Sequence, residues 1–263
     1  VPTMIIAEGG MPSLWLVLVT LVGGSLAAAG ANTINCYVDR DIDGLMLRTR
    51  ERALPAGEIE PERALLFGVA LGLVAFAVLS VGANVLSAAL AMGALGLYVF
   101  VYTLWLKRSS PQNIVIGGAA GAMPPLVGWA AVTGGLDWPA LILFGIIFLW
   151  TPPHFWALAL RYRADYARAA VPMLPVVRGE QETQRQILLY SALLVATSLL
   201  LVPVAGMGYV YLGATLALGA GFLGLAFRLW RDASPAASRA LFTYSLAYLA
   251  LLFAAMGLDR LVA

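Results

Sequence analysis

The sequence predicts an all-α, polytopic membrane helix bundle. Three observations carry that expectation. Of 263 residues, 61% are hydrophobic and only 11% charged, whereas a soluble domain carries roughly 25% charged residues. The apolar residues fall in runs of the length needed to cross a hydrocarbon core as a helix, about 20 residues, not in the shorter alternating segments of a membrane barrel. Fifteen of the sixteen Lys and Arg residues fall in loops on one side of those runs. So apolar a composition (mean hydropathy +0.87) excludes a water-soluble enzyme and a disordered chain, and a single cysteine, Cys36, excludes a disulfide-stapled fold. A formal net charge of +2 gives no reason to expect nucleic acid as a partner.

Taken in order, the runs at about 11–36, 64–82, 84–106, 113–133, 138–160, 186–206, 208–230 and 239–260 give eight full spans in the lipid bilayer. The opening Val1–Ala7 is apolar but too short to span. It reads as the tail of a further helix, so nine helices are expected with the first largely truncated, in a single transmembrane domain over residues 1–263. It lacks the basic segment and small-residue cleavage site of a signal peptide. The basic residues lie in the loops holding Arg40 to Arg63, Lys107 and Arg108, Arg161 to Arg185, and Arg228 to Arg239, with Arg260 alone opposite. By the positive-inside rule these four loops are cytoplasmic, as expected of a multi-pass protein of a bacterial inner (cell) membrane. Eleven of the fourteen acidic residues share that side. Orientation needs bases but not acids, so this face is expected to do polar work. Its two long loops, about 37–63 and 161–185, are four helices apart, which suits an approximate duplication with both loops facing one cavity.

The first polar cluster continues directly from an apolar helix as Asn32-Thr-Ile-Asn35-Cys-Tyr-Val-Asp39-Arg-Asp41-Ile-Asp43. At 100° per residue Asn35, Asp39 and Asp43 stack on one helix face, while Asp41 points about 200° away from Asp39. Two carboxylates and an amide on one face suit Mg²⁺, which takes one or two carboxylates and completes its shell with water and phosphate oxygens. The alternative is a solvated acidic helix end. Polar groups at bundle depth are expensive and usually functional, and the stacking favours the metal. Arg48, Arg50 and Arg52 follow at once. Guanidinium forks pair well with diphosphate oxygens, although loop charge of the positive-inside kind accounts for arginines here too. Acids and bases together point to a metal–diphosphate substrate.

At these residues the chain resembles the UbiA superfamily of membrane prenyltransferases, whose signature Asn-x-x-x-Asp-x-x-x-Asp is matched by Asn35, Asp39 and Asp43. Within it the chain is similar to the protohaem IX farnesyltransferase family along nearly its whole length. The matching segments include Lys107-Arg108-Ser-Ser-Pro-Gln-Asn113, Ala122-Met-Pro-Pro-Leu-Val-Gly-Trp129, Trp150-Thr-Pro-Pro-His154-Phe-Trp156, Tyr162-Arg-Ala-Asp165-Tyr166 and Val171-Pro-Met-Leu-Pro-Val-Val177. Ala53 replaces a usual proline and Ala170 a usual glycine. Of the superfamily's second Asp-x-x-x-Asp only Asp165 is present, with Ala169 four residues on.

The resemblance implies a UbiA-type bundle that transfers the farnesyl group of farnesyl diphosphate to a vinyl group of haem b, with water added, giving haem O. It implies Mg²⁺ held by Asn35, Asp39, Asp43 and Asp165. It makes Arg48, Arg52, Lys107, Arg108 and Asn113 candidates for contact with the diphosphate, and haem A synthase or terminal oxidase assembly candidate partners for the product. His154, the sole histidine, follows Pro152-Pro153 near a cytoplasmic helix end. It is a candidate axial ligand of the haem iron; alternatively it bonds a backbone group that the prolines free. The run Asn113-Ile-Val-Ile-Gly117-Gly118-Ala-Ala-Gly121 is read as close helix packing.

Rival readings remain at this stage. A UbiA-type enzyme with a quinone-precursor acceptor would share the metal loop. A transporter would place its ionisable groups near the bilayer midplane, and here they collect at one edge. A CDP-alcohol phosphotransferase would need an Asp-Gly-x-x-Ala-Arg segment that the chain lacks. A purely structural subunit would not need the Asn35/Asp39/Asp43 stack.

Overall fold

Apolar runs in lipid must satisfy every backbone group internally, and only a helix does so within one segment. The computed structural model of the chain describes residues 1–262 and meets that demand with helices. A short helix α1 (Pro2–Glu8) precedes α2 (Leu14–Val38), α3 (Pro61–Gly82), α4 (Val85–Ser109), α5 (Asn113–Thr133), α6 (Trp138–Arg161), α7 (Gly179–Ala205), α8 (Tyr209–Asp232) and α9 (Pro235–Val262). Among the described residues these last eight are long and apolar enough to cross a membrane. The protein is an integral, multi-pass membrane protein.

Local chemistry sets the helix boundaries. Ser13 Oγ accepts the Leu16 N–H at 3.3 Å at the start of α2, and Asn84 Oδ1 accepts the Ser87 N–H at 2.8 Å at the start of α4. Asn84 Nδ2 also donates to the Ala130 carbonyl at 2.7 Å, tying α4 to the far end of α5. Gly134 and Gly206 close α5 and α7 with φ of 71° and 63°. Pro124 and Pro125 divide α5 after Ala122. Asp259 of α9 accepts the N–H groups of Gly208 at 2.6 Å and Tyr211 at 3.0 Å, capping α8 from a neighbouring helix. Seven of the eight spans start and end within a few residues of the sequence expectation. The exception is α7, which starts at Gly179 rather than near 186. Its first two turns are polar and stand clear of the apolar run; Glu180 and Glu182 complement the helix dipole there, and Gln186 donates to Glu182 at 2.8 Å. The second long loop is correspondingly shorter than 161–185.

Consecutive helices pack side by side from α2 through α9, and α1 lies between α9 and the second half of α5. At the α2–α3 contact the two backbones meet. A Cβ on Gly30 would meet the Gly68 carbonyl at 2.8 Å, and one on Gly68 would meet Ile34 Cγ1 at 2.8 Å. Small residues here let two backbones touch, which is how helices gain contact where lipid offers no hydrophobic drive. That contact holds the end of α2 that carries Asn35 and Asp39. Gly68→Leu should therefore overpack the pair and destabilise the fold by about 1–3 kcal/mol, read as a lower thermal midpoint in detergent, whereas Val81→Leu on the lipid face (Val81 is 89% exposed) should leave it unchanged.

Candidate active site

The polar cluster forms where α2 ends. Asn35, Asp39 and Asp43 are 5%, 0% and 2% exposed, and the Asp41 side chain is 60% exposed. One expectation needs correcting: the helix does not run unbroken through Asp43. It stops at Val38, Asp39 takes φ −88° and ψ 2°, and a separate turn, Arg40–Asp43, follows. Arg108 Nη2 explains the break, because it donates to the Val38 carbonyl at 3.0 Å and so satisfies a helix-end acceptor from outside. The register survives the joint. The Asp39 N–H donates to Asn35 C=O and the Asp43 N–H to Asp39 C=O, each at 2.8 Å, and the three side chains stay on one face.

Each buried carboxylate has acquired a cation from a different part of the chain. Asp39 Oδ2 accepts from Asn35 Nδ2 at 2.6 Å and from Lys107 Nζ. Asp39 Oδ1 has no hydrogen-bond donor; Arg108 Nη2 stands 3.5 Å away, an electrostatic contact only. Asp43 Oδ2 accepts from Arg52 Nη1 at 2.7 Å. The loop is folded back for that purpose, with buried Thr49 donating to the Asp43 carbonyl at 3.0 Å. Within α4, residues Leu97–Leu106 form a π-helical stretch, a feature that recurs at functional sites. It presents Thr103, which accepts from Asn35 Nδ2 at 3.1 Å and donates to the Tyr98 carbonyl at 2.8 Å.

Arg108 reaches both the buried Asp39 and the exposed Asp41. Its two Nη atoms each donate to Asp41 at 2.7 Å, and this fork holds the Asp41 carboxyl down at about 2. Because the folded value is depressed, the pair contributes above the usual carboxylate range and is lost only as pH falls through about 2. Asp41 is therefore the anchor of Arg108, not a bystander, although so exposed a pair contributes little stability.

The second long loop arrives at the same end. Asp165, 6% exposed, lies in the short helix Arg163–Arg168, where its Oδ1 accepts from Arg168 at 2.8 Å. Arg48 lies against the Tyr166 hydroxyl; burial raises that hydroxyl's pKa and Arg48 draws it back. Arg48 of the first long loop thus comes close to Tyr166 of the second. Ala170, in place of a usual glycine, holds φ 53°, a left-handed conformation that favours glycine. Among the described residues no three His, Cys, Asp or Glu side chains gather closely enough to hold a metal, so Asp165 does not complete a protein-only cage with Asp39 and Asp43. Asn113 opens α5 fully buried, with neither amide atom partnered.

His154 sits deeper in α6, 7% exposed. Its ring is stacked between Trp150 and Phe242, with centroids 4.3 and 4.7 Å away. Nδ1 lies 2.7 Å from Ser245 Oγ, and that hydroxyl already donates to the Phe242 carbonyl at 2.6 Å. With its one proton committed, Ser245 must accept, so Nδ1 carries the hydrogen and Nε2 keeps its lone pair. The prolines did not draw His154 to a backbone group. Sequence reading missed Thr103 and Ser245. Thr103 was findable, as a hydroxyl one turn before Lys107; nothing in the sequence tied Ser245 to a histidine 91 residues away.

Below the charged end lies a mostly apolar cavity of about 750 Å³, with Asn32, Tyr98 and Tyr102 on its lining and α1, α2, α4, α5 and α6 around it. An acidic and basic head above an apolar chamber is the layout of an enzyme for diphosphate-headed lipids. The UbiA prenyltransferase family profile matches residues 1–254, and the chain belongs to that family. It is 58% identical over 259 residues to the protoheme IX farnesyltransferase of Gloeobacter violaceus, covering 98% of this chain and 85% of that protein. It is 54% identical over 265 residues to the protoheme IX farnesyltransferase of Parafrankia sp., covering 100% and 85%. Its fold matches a solved digeranylgeranylglyceryl phosphate synthase with TM-score 0.82 at 18% identity, covering 100% of this chain and 91% of that one. It matches a UbiA homologue from Archaeoglobus fulgidus bound to GPP and Mg²⁺ with TM-score 0.63 at 18% identity, covering 97% and 93%. Family membership sets aside the transporter and phosphotransferase readings.

Removing one partner of a buried ion pair leaves a bare charge. Lys107→Met should destabilise the protein by about 3 kcal/mol, and adding Asp39→Asn should recover most of that loss, as measured by a double-mutant cycle on thermal unfolding.

Proposed function

We propose that this chain transfers the farnesyl group of farnesyl diphosphate to a vinyl group of haem b, forming haem O, at the charged end of the bundle. The observation that carries the reading is the pair of buried carboxylates, Asp39 and Asp43, standing beside three cationic side chains, Arg52, Lys107 and Arg108, above an apolar cavity. Haem as acceptor is supported by relatives of 58% and 54% identity named protoheme IX farnesyltransferase.

The donor set fits Mg²⁺. Asp39 Oδ1 is a buried acceptor with no hydrogen-bond donor, and two carboxylates without a third leave room for the phosphate oxygens that Mg²⁺ prefers. Asn35, Asp39 and Asp43 would hold the ion, with Asp165 the candidate from the second loop. When bound, it would neutralise charge developing on the leaving diphosphate. Arg52 and Lys107, which balance Asp43 and Asp39, turn their N–H donors to diphosphate oxygens once those carboxylates are otherwise neutralised. Arg48 adds a third cation from the loop, and Asn113 offers an unpartnered amide. Arg108 stays on Asp41 and acts by shaping the joint at Asp39.

The apolar cavity takes the farnesyl tail and keeps water from the allylic carbon. As the C1–O bond breaks, the electron pair leaves with diphosphate. The vinyl group of haem bonds to C1, and water captures the cation left beside the porphyrin ring, releasing a proton. The Tyr98 and Tyr102 rings at the cavity wall offer π-density to positive charge. His154 stands near this level: Thr151 abuts Gly118, and His154 lies about 4.5 Å further toward the charged end along α6 at 1.5 Å per residue. Its free Nε2 lone pair suits an axial bond to haem iron, with Ser245 fixing the tautomer. The bias of fifteen basic residues in sixteen supports cytoplasmic active-site loops in a bacterial inner membrane. The product then passes to a haem A synthase or to terminal oxidase assembly.

The deciding experiment incubates purified protein with haem b, farnesyl diphosphate and Mg²⁺ and reads product mass; no haem O would overturn the reading. Turnover should vanish in excess EDTA. Asp39→Asn or Asp43→Asn should lower turnover on the order of 10²–10³-fold, and Asp41→Asn only several-fold, as steady-state rates at saturating Mg²⁺ would show. His154→Ala should shift the haem absorption spectrum and weaken haem binding while farnesyl diphosphate still binds; an unchanged spectrum and affinity would remove the ligand role.

A further inference from the structure

Three glycines in the first half of α5 face the cavity, and they answer to different constraints. A Cβ on Gly117 would collide with the Tyr102 ring, and one on Gly118 would meet Thr151 Cγ2 at 2.9 Å. Packing requires both. A Cβ on Gly121 would meet nothing within 4 Å, yet Gly121 lines the cavity. Ile114, Gly117, Gly118 and Gly121 recur at i, i+3, i+4 and i+7, so Gly121 belongs to the face turned inward. Gly24 of α2 repeats the pattern: it lines the same cavity and a Cβ there also meets nothing within 4 Å. Alanine would favour each helix by about 1 kcal/mol, and no neighbour forbids it. What glycine preserves at these two positions is the width of the cavity.

Depth gives that width a meaning. Gly121 lies eight residues beyond Asn113, or about 12 Å at 1.5 Å per residue. Gly24 lies eleven residues before Asn35, or about 16 Å from it on the same measure. A farnesyl chain has twelve carbons along its length and, at roughly 1.2 Å of advance per C–C bond, extends about 14 Å. Its last isoprene unit therefore falls at about 10–14 Å, level with Gly121 and short of Gly24, where a geranyl chain does not reach.

We propose that Gly121, with Gly24, determines the length of prenyl chain this cavity accepts, by leaving room for the third isoprene unit. This rests on the assignment of the cavity to the prenyl tail. A side chain at Gly121 blocks the terminal unit without touching the head group, so it discriminates by steric exclusion and not by loss of contacts.

The test measures haem prenylation with geranyl, farnesyl and geranylgeranyl diphosphates for wild type and for Gly121→Ala, Gly121→Leu and Gly121→Phe. One methylene in a pocket changes kcat/KM by about 10–200-fold, and a blocked isoprene unit is larger. The farnesyl-to-geranyl ratio of kcat/KM should therefore fall stepwise along the series, by at least about 100-fold for Gly121→Phe. Retained geranyl transfer would show that the variant is folded and its head-group site intact. Gly24→Leu should depress geranylgeranyl transfer more than farnesyl. Ile116→Phe, on an exposed side of α5 away from the cavity lining, should leave the ratio unchanged. An unchanged ratio across the Gly121 series, or an equal change in Ile116→Phe, would overturn the role of Gly121 while farnesyl transfer by wild type stands. A wild-type protein that transfers no prenyl chain of any length would instead overturn the underlying reading.

Discussion

A carboxylate taken out of water must find a cation or strong hydrogen-bond donors, because its desolvation costs several kcal/mol even after relaxation. Asp39 and Asp43 have no exposed surface to speak of, and much of this end of the bundle is arranged around them. Lys107 is delivered by extending α4 past its last apolar residue, Leu106. Arg52 is delivered by folding the loop back under the Thr49 hydrogen bond to the Asp43 carbonyl. Arg108, held in place by Asp41, closes the end of α2 from outside. Remove the two acids and the α4 extension and the folded loop would lose their charged partners.

The same arrangement separates two environments within a few ångströms. Above Asn35 the chain is ionic; below Asn32 it lines the cavity with small and aromatic side chains. The boundary is sharp because the α2–α3 contact lets the backbones touch at Gly30 and Gly68, and because the π-helical stretch of α4 turns Thr103 toward Asn35. On the far side of the cavity wall, α6 and α9 are joined twice at Ser245, whose carbonyl accepts from Trp150 Nε1 at 2.8 Å and whose hydroxyl accepts from His154. That double tie leaves the imidazole little freedom of ring orientation, as a ligand group requires.

What the sequence made legible follows from the range of each interaction. The spans were readable because the bilayer imposes length and polarity on contiguous residues. The shared face of Asn35, Asp39 and Asp43 was readable because helical periodicity is local. The break at Asp39 was not, since its cause, Arg108 on the Val38 carbonyl, lies 70 residues away. For the same reason the pairing of Arg108 with Asp41 was not readable. The early start of α7 lies outside the apolar run, although Glu180 and Glu182 mark a helix N-terminus. The glycine run of α5 was read as packing; that holds for Gly117 and Gly118 but not for Gly121, and only the neighbours across the helix face distinguish them.

The charge balance of the site bears on how it takes its substrates. Lys107 and Arg52 offset Asp39 and Asp43 one for one, so the head is close to neutral before anything binds. A bare diphosphate would face two buried carboxylates, and a bare divalent cation would face the ammonium and guanidinium that already occupy them. Either alone leaves charge uncompensated in a medium that screens poorly. A metal–diphosphate pair would bring both signs at once: the carboxylates and the cations would exchange partners, and little net charge would be added. The ionic bookkeeping that folds this end of the bundle would thus, in the proposed function, be the same one that selects a lipid carrying a metal-bound diphosphate head.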